Sequence, residues 1–364
     1  SVADSSKKAT VQVVVGDILI PAIFADDPTL GTIQNEIDKA DEESTIVVMP
    51  TAYTAYNEQL VINKSLTLLG LNTKLNGSIT ITAHNVTVDG FIVEAPNDYT
   101  IQPVIHIIDS DNVNIINNTV IAQGYASIGT SSGPARVTGK ISGNTVTGMI
   151  IAGTDGELEV CENDVTPTSA EGICFYPVGP EAQIIVTGNK IGQVEGDFAQ
   201  IKVEQKPGSV NGETDEVEIL SAISEDNYGA TVKLAWIKTV GKDDYADYAN
   251  IQAAIDAATT GDNIIAVYPG NYETDPIKII QREGVNITLE AVGEVVLKNQ
   301  IRIDGAARAN GAETLTIKGF TFDFSTANHS IITTTFLEEV EGRSTNLVYA
   351  HNISIEDCEF MGNP

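Results

Sequence analysis

Between residues 60 and 191 the chain is written in short β-branched runs broken by Gly, Asn and Asp: LVI, SLTLLG, SITIT, NVTVDGFIV, VIHII, NVNIINNTVI, RVTGKISGNTV, ELEVCENDV and QIIVTGNKI. Equivalent apolar positions, Val86, Val113, Val137, Leu158 and Ile184, follow at intervals of 27, 24, 21 and 26 residues. A period in the twenties built from several tiny strands predicts an all-β parallel β-helix, in which each coil stacks on the one before. An immunoglobulin-like sandwich would ask for hairpin turns and longer alternating strands, and few such turns occur.

The same order of segments is written twice. TIQNEIDKA (32–40) matches NIQAAIDAA (250–258) at five of nine positions, with an offset of 218. STIVVMPTAY (44–53) parallels DNIIAVYPGNY (262–272), and SLTLLG (65–70) parallels NITLEAVG (286–293). NVTVDGF (85–91) parallels TLTIKGF (314–320), and VNIINNTV (113–120) parallels ISIEDCEF (353–360). Two tandem β-helix domains are therefore expected, 1–236 and 237–364. Each should open on a short amphipathic helix, near 32–40 and 250–258, with Ile33, Ile37 and Ala40 or Ile251, Ile255 and Ala258 forming one apolar stripe. After the first strand of each copy, helical patterning is expected to disappear. The second copy matches only through Phe360, the counterpart of Val120, whereas the first runs on through several more coils. The second domain is thus expected to be truncated and the less stable of the two, its last coil needing a continuation or a partner.

A finer signal lies in the turns. INNTV, SGNTV, CENDV and TGNKI place Asn118, Asn144, Asn163 and Asn189 at corresponding points of successive coils. Asparagine tolerates left-handed backbone geometry, and its amide bonds neighbouring backbone, so these four are expected to stack as a structural ladder.

Charge limits the partners. Fifty acidic side chains against 20 basic give a formal net charge of −30, which repels nucleic acid and anionic membrane. No run approaches the ~20 apolar residues of a membrane-spanning helix. Hydrophobic residues make up 42% of the chain, enough to fold rather than remain disordered. Cys161, Cys174 and Cys358 make no disulfide framework, and no CxxC motif suggests zinc.

The order TIQxAID, then VxPGxY, then xITL, followed by Asn-turn coils, resembles right-handed parallel β-helix proteins of the pectate-lyase-like superfamily. The resemblance implies a right-handed solenoid whose leading helix caps the open end. It leaves function open, because such proteins include lyases, hydrolases, esterases, phage spikes and non-catalytic surface proteins.

The catalytic patterns of such proteins have only partial counterparts among the residues. YPGNYE (268–273) is similar to pectin methylesterases, but no Gln-Asp pair exists, and FTFDFS (320–325) offers only Asp323 as a nucleophile candidate. Polygalacturonase-like hydrolases need closely placed aspartates and a Gly-His-Gly segment. That segment is missing, and the pairs Asp26-Asp27 and Asp243-Asp244 precede the expected helices. Polysaccharide lyases need a cationic base, and GDFAQIKVEQK supplies Asp197 and Lys202 as candidates. Lys202 shares a face with Glu204 by period-two alternation, so a solvent-facing ion pair is the plainer reading. Asp109, Asp111 and Asn114 are oxygen ligands at short spacing, the candidates for a calcium ion, although turn capping explains them as well. No cofactor is required by this reading, and calcium is the one considered.

These observations favour a non-catalytic extracellular or cell-surface protein, adhesin or surface-layer-like, that presents a solenoid face to polysaccharide or cell-wall components. A lyase or pectinesterase-like enzyme on acidic polysaccharide is the alternative, and a phage or pilus-like spike a further one. The oligomeric state stays open.

Overall fold

Alternation of apolar residues sets the packing. In the strand Val86–Glu94 the side chains of Val86 and Val88 are buried, the phase slips at Gly90, and Phe91 and Val93 are buried beyond it. Gly90 makes this corner at φ +74°, where a Cβ would stand 2.1 Å from the carbonyl oxygen of Gly70. Only glycine turns the chain here without strain.

The computed structural model describes residues 11–15, 18–22, 32–50, 55–95, 102–122, 126–130, 137–242, 246–272, 277–298, 300–304, 313–323, 331–334, 336–340, 343–348 and 350–362. For 11–15, 18–22, 198, 331–334, 336–340 and 343–348 only the backbone is described. The expected Asp26-Asp27 and Asp243-Asp244 pairs lie outside the described residues. The chain is all-β in character, with parallel strands in large parallel sheets, consistent with a β-helix-like fold. It divides into two compact units, Ser1–Leu234 and Ala235–Pro364.

In the first unit three columns of inward side chains run through in-register parallel strands. One is Leu68, Val88, Ile115, Ile141, Val160 and Val186. The second is Ile79, Ile105, Ile128, Ile150, Ile173, Ile201 and Val232. The third is Leu75, Val93, Val120, Val146, Val165 and Ile191. All of these are buried, and each contributes roughly 1.5–3 kcal/mol of apolar transfer. Identical spacing of like side chains above one another is what makes the stack repeatable. Val137 is an exception to the expected register. It pairs with Ser110, a bulge follows, and Gly139 takes the place opposite Val113 and Leu158.

Helix α1 (Ile33–Lys39) buries Ile33 and Ile37 and starts at Thr32, whose hydroxyl accepts from the Asn35 N–H at 3.0 Å. The expectation that helical patterning ends after the first strand is corrected by α2 (Glu216–Asp226). Asp215 caps α2 by accepting from the Val217 and Glu218 N–H groups, and Val217, Ile219, Leu220 and Ile223 are buried. This helix packs against strands 183–187, 209–210 and 231–234.

The second unit has its own core around Ile265, Leu289 and Ile317, with Tyr272, Leu297 and Phe322 on a second parallel sheet and Ile277 and Ile301 on a third. Helix α3 (Ile251–Asp256) sends Ile251, Ala254 and Ile255 into that core. In the final described layer the Phe360 ring stacks on buried Phe322 at 5.0 Å between centroids, while Ile355, Phe360 and Met361 are exposed.

One buried ionisable group predicts a pH effect. His106 is buried on the outward side of its strand, and desolvation holds its pKa below the ordinary 6.5. The unfolded chain therefore takes up a proton near pH 6.5 that the folded one resists, so stability falls as pH drops below that value. The urea midpoint should be lower at pH 5.5 than at pH 7.5. His106→Gln should flatten that difference, and an unchanged slope would assign it to other groups.

Candidate functional site

The corner asparagines form a continuous chain of amides. Asn118 Nδ2 donates to Asn144 Oδ1 at 3.2 Å, Asn144 to Asn163 at 2.9 Å, and Asn163 to Asn189 at 2.9 Å. Asn189 in turn donates to Asn227 at 2.8 Å. The backbone N–H of each donor residue bonds the same acceptor oxygen, at 2.9–3.1 Å. The second amide proton goes to a carbonyl of the preceding layer: Val88, Ile115, Ile141 and Val160 for the four donors in order. Asn227 ends the chain by donating to Val186 and to the α2 carbonyl of Ile223. The left-handed residue at each corner is not the ladder asparagine. It is the residue before it, Asn117, Gly143, Glu162 or Gly188, with φ between 54° and 66°. The asparagine is needed for its amide, and the backbone reversal is done one step earlier.

Two glutamines repeat one arrangement. Gln34 of α1 accepts from the Val61 N–H at 2.7 Å and donates to the Val61 carbonyl at 3.1 Å, and Gln252 of α3 does the same at Lys278, at 2.7 and 2.9 Å. Each amide also donates to the aspartate one turn on, Asp38 or Asp256, at 2.8 Å. The side-chain amide thus stands in for the peptide of a neighbouring strand. Gln252→Ala should lower the stability of the second unit by about 1–2 kcal/mol, the worth of two partly exposed hydrogen bonds. Chemical denaturation followed by hydrogen exchange at Lys278 tests this, and unchanged exchange there would discount the contact.

A groove of about 590 Å³ crosses the strands Tyr56–Ile62, Leu66–Ile81 and Val86–Glu94. Strand register lines up Asn57, Asn76 and Glu94 across it. Asn76 Nδ2 donates to Asn57 Oδ1 at 3.1 Å, and the Lys74 ammonium meets the Glu94 carboxylate at 2.8 Å. Glu58 in the same wall accepts from the Ile33 and Gln34 N–H groups at 2.9 and 3.1 Å, and Gln59 lines the groove beside it. Gly77 lets the two strands approach closely, since a Cβ there would lie 1.7 Å from the Glu58 carbonyl oxygen.

The sequence candidates for catalysis stand on separate elements. Lys202 lies in the strand Gln200–Val203, Asp197 is exposed in a tight antiparallel hairpin with Gln193–Val194, and Asp323 belongs to the second unit. The Lys202 ammonium sits 2.5 Å from Glu204 and 3.3 Å from Glu171. Hydrogen bonding to Glu204, against the opposing effect of burial and with further help from Glu171, holds its pKa above the ordinary range. A lyase base must give up that proton, and this pairing retains it. Beside it, burial pushes the Cys174 thiol up to about 11, which keeps it an unreactive thiol.

Asp109 and Asp111 are exposed and Asn114 is half-buried in its strand. The Asp111 N–H donates to His84 Nδ1 at 2.9 Å. Among the described residues no group of three or more His, Cys, Asp or Glu side chains converges as a metal site would require. No helix among them is long and apolar enough to cross a membrane.

Comparison with protein-family models, curated proteins and solved structures found no match to this chain. Sequence patterns missed the groove residues Asn57, Gln59 and Asn76, because only the strand register assembles them. Gln34 and Gln252 carried a signal in the matching IQxxID pattern of the two helices.

Proposed function

We propose that this chain is a non-catalytic extracellular or cell-surface protein made of two tandem right-handed parallel β-helices, with α1 and α3 as their N-terminal caps. In this reading it presents a rigid solenoid face to polysaccharide or cell-wall components, as an adhesin or surface-layer-like protein does. The observation that carries the reading is the groove over residues 57–94, an outward row of amide and paired charged side chains held on three parallel strands. Such planar polar groups on rigid strands suit hydroxyl-rich ligands, since they are already fixed in position. The cap assignment draws on the shared Gln–strand contacts of the two helices. The full chain on a glycan array, with and without calcium, beside lyase, hydrolase and esterase assays, tests the whole proposal. Binding without turnover is expected, and the calcium arm probes Asp109 and Asp111. An empty array would overturn the binding role. Turnover lost on changing Lys202, Asp197 or Asp323 would replace it with an enzyme.

A further inference from the structure

Building on that polysaccharide-binding reading, we infer that the groove across Asn57, Asn76 and Glu94 takes an uncharged oligosaccharide rather than a uronate, sulfated or amino sugar. Every charge lining the groove already has a partner inside the protein. Lys74 is paired with Glu94 at 2.8 Å, and Glu58 is committed to the Ile33 and Gln34 N–H groups. A charged sugar would have to strip its own hydration without gaining an unpaired counter-charge, which makes its transfer unfavourable. An anionic one meets two carboxylates against one ammonium, on a chain of net charge −30.

The uncharged groups are the ones left open. Asn57 Oδ1 is occupied by Asn76 Nδ2, so an amide donor on Asn57 and an amide acceptor on Asn76 face outward on adjacent strands, both residues exposed. Gln59 projects from the same side as Asn57 by period-two alternation and adds another donor and acceptor. Hydroxyls both donate and accept, and mixed amides of this kind match them. Parallel strands stand about 4.8 Å apart, close to the length of one pyranose unit. A neutral glycan laid across the strands would therefore set successive sugars on successive strands, and about 590 Å³ is an ordinary volume for such a ligand site.

Calorimetric and ligand-observed NMR titrations of the full chain test this, using neutral β-1,4-glucan and β-1,4-mannan tetrasaccharides, tetragalacturonate and a glucosamine tetramer. A neutral tetrasaccharide should bind in preference to both charged ones. Asn57→Ala with Asn76→Ala should weaken it about tenfold, the loss expected of two modest hydrogen bonds. Asn76→Asp, at an exposed position that keeps the fold, should weaken it as well. Lys140→Met with Glu159→Gln, which removes an ion pair outside the groove as a unit, should leave neutral binding within about twofold. Preference for tetragalacturonate or the glucosamine tetramer would overturn the neutral assignment and leave the polysaccharide role standing. Neutral binding unmoved by the asparagine changes would overturn the assignment to this groove. Binding of none of the four sugars would remove both proposals.

Discussion

Replacing Asn163 with alanine is expected to destabilise the first unit by roughly 3–6 kcal/mol, because it strands three buried polar groups at about 1–2 kcal/mol each. The lost side chain accepts from both the backbone N–H and Nδ2 of Asn144 and donates to the Ile141 carbonyl. The corner is closed to bulk solvent in the native chain, with Asn144, Asn163 and Asn189 all about 1% exposed or less. Asn163→Asp separates hydrogen bonding from volume. It keeps an acceptor toward Asn144 but turns an oxygen toward the Ile141 carbonyl and Asn189 Oδ1, and it buries a charge, so it should cost at least as much. Urea unfolding of both variants measures this. A cost below about 1 kcal/mol for the alanine would show that the ladder is not cooperative with the stack.

Ile255→Asp is expected to leave the second unit unfolded at room temperature. Ile255 is buried against the core that includes Ile265 and Leu289. Emptying such a site costs about 2–5 kcal/mol, and burying an unpaired carboxylate adds several more. That sum equals most of the stability of a domain. Ile255→Val should cost only about 1 kcal/mol, which distinguishes loss of the apolar contact from general intolerance of change. Limited proteolysis would show cleavage confined to residues after 234 in the aspartate variant. Retention of a folded second unit would mean that α3 contributes little to closing that core.

Much of the strand layout could be read from the amino acids because one physical rule, period-two alternation, acts locally. Val86 and Val88 point inward wherever the partner strand lies, and Lys202 meets Glu204 for the same reason. The four corner asparagines also stood out, since a stacked layer repeats the same chemistry at the same place. Three things were hidden. The left-handed position was read one residue late, because pairs such as Gly143-Asn144 and Gly188-Asn189 contain two residues that both tolerate it. Val137 was set opposite the wrong residue because a bulge adds a residue without altering the apolar pattern. Helix α2 is not legible in this way because, unlike those of α1 and α3, its segment has no matching segment in the other copy to mark its apolar spacing. The groove lay furthest from view. Asn57, Asn76 and Glu94 are brought together only by register between strands, and no local pattern in the sequence encodes register across those distances.

The amide chain also separates counting from length. Its successive members are 26, 19, 26 and 38 residues apart, yet every link is made by the same atoms in the same way. The longest interval includes the whole of α2, and Asn227 still closes on Asn189. Each corner therefore indexes its layer afresh, so a segment gained or lost between two corners shifts nothing downstream. A chain organised this way can rewrite its exterior one layer at a time, by insertion or by exchange between corners, while its interior keeps a fixed address for every strand.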